Sequence, residues 1–100
     1  METKKGKLVS YSVISRKPAW LLDLQWHVVC RYGDDEVEDT LAFWQELERY
    51  INFCIYEWHK TIAPKRSIRS TIGTRIKEDE GITVLDVLRN RRPVLTYKIK

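Results

Sequence analysis

The sequence predicts a small α+β fold in which a mainly antiparallel sheet, in the order β-β-α-β-α-β, packs on one long amphipathic helix. Three observations carry that expectation. Apolar and polar residues alternate over residues 22–32, an apolar stripe of helical spacing runs over residues 37–62, and short segments bounded by Gly, Pro and charged residues fill the rest of the 100 residues. A chain of this length is expected to form one domain, residues 1–100, because two halves would each lie near the lower limit for independent folding.

Residues 8–15 read as the first strand, with Val9, Tyr11 and Val13 on one face and Ser10, Ser12 and Ile14 on the other; Arg16, Lys17 and Pro18 punctuate it. The second strand is residues 22–32. Leu22, Leu24, Trp26, Val28, Cys30 and Tyr32 alternate there with Asp23, Gln25, His27, Val29 and Arg31, which predicts Trp26 and Cys30 in the core and His27 outside. A hairpin around residues 17–20 would join the two strands.

Gly33 ends that strand. Asp34, Asp35 and Glu36 then open the long helix, with Asp35 and Glu38 spaced as a capping box. Val37, Leu41, Trp44, Leu47, Ile51, Ile55, Trp58 and Ile62 share a sector about 120° wide at 100° per residue, and Pro64 stops the helix near Ala63. The opposite side carries Glu38, Glu46, Arg49, Glu57 and Lys60.

Residues 65–77 read as a strand, with Ile68, Ser70, Ile72, Thr74 and Ile76 on one face and Arg69, Thr71, Gly73, Arg75 and Lys77 on the other, outer face, because Ser, Thr and Gly lower helix propensity there. Residues 78–81 form a turn. Thr83 and Asp86 again resemble a capping box, and the paired apolar residues Val84, Leu85, Val87 and Leu88 suit a short helix over residues 83–91, with a strand as the alternative. Residues 94–99 form the last strand.

Composition excludes several classes. A hydrophobic fraction of 43% with eleven aromatic residues argues against disorder, and the uncharged apolar runs 24–30 and 50–56 are far too short to span a membrane. No signal-like segment is expected at the N-terminus, and two cysteines, Cys30 and Cys54, read as buried thiols rather than a disulfide framework. An intracellular, cytoplasmic protein is the expectation. The net charge of +4 is unevenly distributed: residues 34–59 sum to −7 and residues 60–77 to +6, so an acidic and a basic side are expected.

Neither metal binding nor catalysis is expected, and no cofactor is implied. His27 and Cys30 would diverge on a strand, and Cys54 and His59 lie about 140° apart on a helix, so the four do not make a zinc set. Asp23 and His27 on a strand would be about 13 Å apart, too far to form an orienting pair. The four glycines are isolated, so no phosphate loop or dinucleotide fingerprint is present.

Two binding functions remain. The first is a protein-interaction domain, an adaptor or inhibitor that self-associates as a homodimer through the aromatic helix, with Phe43, Trp44, Tyr50, Phe53 and Trp58 as anchors. The alternative is an RNA- or single-stranded-DNA-binding module. Its basic residues would be Lys65, Arg66, Arg69, Arg75, Lys77, Arg89, Arg91 and Arg92, with Tyr97, Tyr11 or Trp20 stacking on bases.

Overall fold

A computed structural model describes residues 4–61 and 72–100. The elements run β1 (Lys5–Ser12), α1 (Ala19–Tyr32), β2 (Glu36–Glu38), α2 (Leu41–Thr61), β3 (Ile72–Asp79), β4 (Ile82–Arg89) and β5 (Arg92–Ile99). The fold is α+β, with a five-stranded sheet in the order β2-β1-β5-β4-β3 in which every pair is antiparallel. The order of elements is therefore β-α-β-α-β-β-β, and the sheet is larger than expected.

The segment read as a second strand is α1. Its core residues are Trp20, Leu21, Leu24 and Val28, which share one helical face. The alternation arose because Leu22, Trp26 and Cys30, which are exposed, fill the even positions around the buried Leu24 and Val28. The stretch around residues 17–20 is accordingly a helix entrance, where the Pro18 carbonyl accepts the Leu21 and Leu22 N–H groups, and not a hairpin. Gly33 ends α1 with φ +55° and donates its N–H to the Val29 carbonyl at 2.7 Å, a backbone shape that suits glycine.

The long helix begins later than the carboxylate run suggests. Glu36–Glu38 forms a short edge strand on β1, and the true cap is Thr40, whose Oγ1 accepts the Phe43 N–H at 3.1 Å. Next to it, the Trp44 Nε1–H donates to Asp39 Oδ1 at 2.6 Å. Trp44, Leu47, Ile51 and Ile55 are buried as their spacing predicts. The end expected near Ala63 lies outside the described residues.

Residues 83–91 belong to strand β4 and its following turn, not to a helix. Two tight hairpins join β3, β4 and β5, with positive φ at Glu80 and Gly81 in the first and at Asn90 and Arg91 in the second, the geometry that matches strand twist. A register shift at Val87/Leu88 inserts an extra residue into β5.

Both helices lie on one face of the sheet. Leu85, Val87, Leu95, Tyr97 and Ile99 project toward them and form one core with Leu21, Leu24, Leu47 and Ile51. β3 matches its expected alternation where it is described: Ile72 and Ile76 pack on the core and Thr74 bonds Asn52 of α2, while Arg75 and Lys77 are exposed. Among the described residues no helix is long and apolar enough to cross a membrane.

Candidate binding surfaces

The outer side of the helical layer carries more apolar surface than the core needs. On α1, Leu22, Trp26 and Val29 are 53%, 61% and 64% exposed. At 100° per residue they fall within about 60° of one another, on the side opposite Leu24. On α2, Phe53 and Tyr56 are also exposed.

Of the five aromatic anchors expected from the sequence, only Phe53 faces solvent. Trp44 is fully buried and bonded to Asp39, so it serves the core. Phe43, Tyr50 and Trp58 are half-buried between the helices. Tyr32 meets Phe43 and Tyr50 edge-on at 5.6 and 6.5 Å, and Trp20 meets Trp58 at 6.2 Å. The Tyr50 hydroxyl donates to the His27 carbonyl at 3.3 Å. These rings join α1 to α2. Leu22, Trp26 and Val29 were the residues that sequence reasoning missed. A helical reading of residues 19–32 would have exposed them as an i, i+4, i+7 set.

Placing Asp23 and His27 on a helix also corrects their separation. His27 Nε2 lies 3.4 Å from Asp23 Oδ2, and the Trp26 ring stands edge-on to the imidazole at 5.2 Å. The pair borders a groove between the helices that Tyr50, Phe53 and Cys54 also line. Burial pushes the Cys54 thiol up, away from the thiolate that a nucleophile requires. Cys30 is exposed, against expectation, because it lies on the outer half of α1. Among the described residues no group of three or more His, Cys, Asp or Glu side chains is placed to hold a metal ion.

The expected basic residues separate into three groups. Lys65, Arg66 and Arg69 lie outside the described residues. Arg75 and Lys77 lie on the sheet face turned away from the helices, where both reach the buried carboxylate of Asp86: Arg75 Nη2 at 3.0 Å and Lys77 Nζ at 3.4 Å from Oδ2. Thr96 Oγ1 donates to the other oxygen at 2.8 Å. Burial alone would raise the Asp86 pKa, but the Thr96, Arg75 and Lys77 contacts outweigh it and leave the carboxyl below its ordinary value. On the same face, Lys98 Nζ sits 4.5 Å from the centre of the Tyr11 ring.

The third group, Arg89, Arg91 and Arg92, surrounds the β4–β5 turn and is exposed. Arg16, from the segment between β1 and α1, joins Arg89 and Arg92 around a cleft at this end of the sheet. Tyr97 is not available for stacking. It points into the core at 3% exposure, and burial pushes its hydroxyl pKa up. Trp20, at 6% exposure, is likewise a core residue.

Searches against protein-family models, curated proteins and solved structures found no match.

Proposed function

We propose that this is a non-enzymatic protein-interaction domain, of adaptor or inhibitor type, that pairs with a second copy of itself through the outer side of its helical layer. The observation that carries this reading is the stripe Leu22, Trp26, Val29, each member more than half exposed. Three large apolar side chains on one helical face cost solubility unless something covers them.

Their spacing favours a second copy. Leu22 and Val29 flank Trp26 almost symmetrically, so two α1 helices crossing antiparallel about a two-fold axis set Leu22 against Val29 of the other copy and bring the two Trp26 rings together. A stable interface buries about 1,200–2,000 Å² in total, so the contact extends from α1 onto Phe53 and Tyr56 of α2. Trp26 is then the central anchor, a role for which tryptophan is favoured.

Sedimentation of the full chain at micromolar concentration tests this. The expected result is a dimer that Trp26→Asp converts to a monomer, with circular dichroism unchanged and a melting temperature that no longer depends on protein concentration. A wild-type chain that stays monomeric throughout the micromolar range refutes it.

The second reading, recognition of RNA or single-stranded DNA by an Arg/Lys-rich strand face, has mixed support. Arg75 and Lys77 do share an exposed face, but Asp86 already neutralises part of their charge. Among the described residues the arginines at the end of the sheet have no such partner.

A further inference from the structure

The end of the sheet near the β4–β5 turn holds a cleft of about 810 Å³ that opens broadly to solvent. Arg16 stands on one side of it, and Arg89 and Arg92 on the other. None of the three forms an ion pair among the described residues, in contrast to Arg75 and Arg31, which each hold a carboxylate. The sequence reinforces the charge, since residues 3–22 and 87–100, which supply both walls, contain no Asp or Glu.

The rest of the lining mixes apolar and polar groups: Val13, Ile14 and Pro93 beside Ser15 and Asn90, with Val13 62% exposed. Guanidinium groups without acidic partners suit phosphate oxygens, which they bind bidentately, and the exposed apolar patch around Val13 beside them suits the face of a base. Arg91, in the turn between Arg89 and Arg92, occupies φ +67°, at a position where glycine is preferred.

We propose that this cleft binds single-stranded nucleic acid, with backbone phosphates on Arg16, Arg89 and Arg92 and a base against Val13, Ile14 and Pro93. The breadth of the opening favours a polymer that runs through it over an enclosed mononucleotide. This site lies apart from the α1 stripe and does not depend on the self-association reading.

The experiment is fluorescence anisotropy of a labelled oligothymidylate with the full chain, with a mononucleotide and inorganic phosphate as separate competitors. Three phosphate contacts predict a salt slope near −2, so binding weakens about 20-fold between 50 and 200 mM salt. Arg16→Ala and Arg89→Ala each reduce affinity at least several-fold at low salt and flatten the slope, while Lys5→Ala, at the opposite end of β1 from the cleft, leaves both unchanged. These arginines are exposed, and circular dichroism confirms that the variants fold. Three outcomes overturn the proposal: no oligonucleotide binding at 50 mM salt, binding that the combined loss of Arg16, Arg89 and Arg92 does not change, or displacement by mononucleotide or phosphate at the same concentration as by unlabelled oligonucleotide.

Discussion

The two faces of the sheet are held in different ways. Toward the helices, Leu85, Val87, Leu95, Tyr97 and Ile99 pack into a core of apolar side chains, with the Asn52–Thr74 hydrogen bond at its edge. On the other face, the same central strands bury Asp86 and Val84 among Arg75, Lys77, Thr96 and Lys98. One face gains stability from area removed from water. The second gains it from a buried charge whose partners reach in from solvent, which makes it sensitive to pH and to salt.

The largest expected effect is on the helix-side face. Leu85 is fully buried between β3 and β5, so Leu85→Ala opens a cavity that its neighbours cannot fill and should cost about 2–5 kcal/mol. Chemical denaturation measures it. The loss should be nearly the same at pH 7 and at acid pH, because no titrating group takes part.

Asp86 gives the contrasting result. Asp86→Asn weakens the bonds to Arg75, Lys77 and Thr96 together, and Thr96→Val leaves one buried carboxylate oxygen without its donor; each should cost about 1–3 kcal/mol at pH 7. The pH dependence has a definite sign. The Asp86 pKa is lower in the folded protein than in the unfolded chain, so its contribution is fully present above the unfolded value of about 3.9 and disappears as pH falls through the folded value. The gap in melting temperature between wild type and Asp86→Asn should therefore narrow in acid. A gap that stays constant from pH 7 to below pH 3 would mean that Asp86 acts through shape alone.

Asp86 also shows why part of the fold was hard to read. In a strand buried on both faces the polar–apolar alternation disappears, and Val84, Leu85, Asp86, Val87 and Leu88 then resemble a short capped helix. α1 failed for the opposite reason. Its core pattern of Trp20, Leu21, Leu24 and Val28 is helical, but the exposed Leu22, Trp26 and Cys30 occupy the even positions around Leu24 and Val28, and their sum mimics period two. Two of the residues that disguised the helix, Leu22 and Trp26, are among those now proposed to bind a partner, as expected where surface function overrides pattern. α2 was legible because Trp44, Leu47, Ile51 and Ile55 obey helical spacing. Its start was not, because the carboxylates of residues 34–38 imitate a cap that Thr40 supplies. The cleft was half legible: Arg89, Arg91 and Arg92 stand together in the sequence, whereas Arg16 reaches them only through the β1–β5 pairing, which brings the segment after Ser12 beside Val94.

The smallest effect separates charge from coverage on the face away from the helices. Val84 is 5% exposed although it points away from the helical core, and its neighbours in register are Lys77 and Lys98. Long lysine stems cover apolar surface while their ammonium groups stay in water. Lys77→Met keeps the stem and loses the charge, and Arg75 remains on Asp86, so the change in stability should stay within about 0.5 kcal/mol. Lys77→Ala removes the stem as well and uncovers Val84, for a loss of about 1 kcal/mol. If the two variants are equally destabilised, the ammonium is what Lys77 contributes and the face is held by charge. If only the alanine variant loses stability, this face too relies on apolar burial, supplied by lysine side chains in place of a helix.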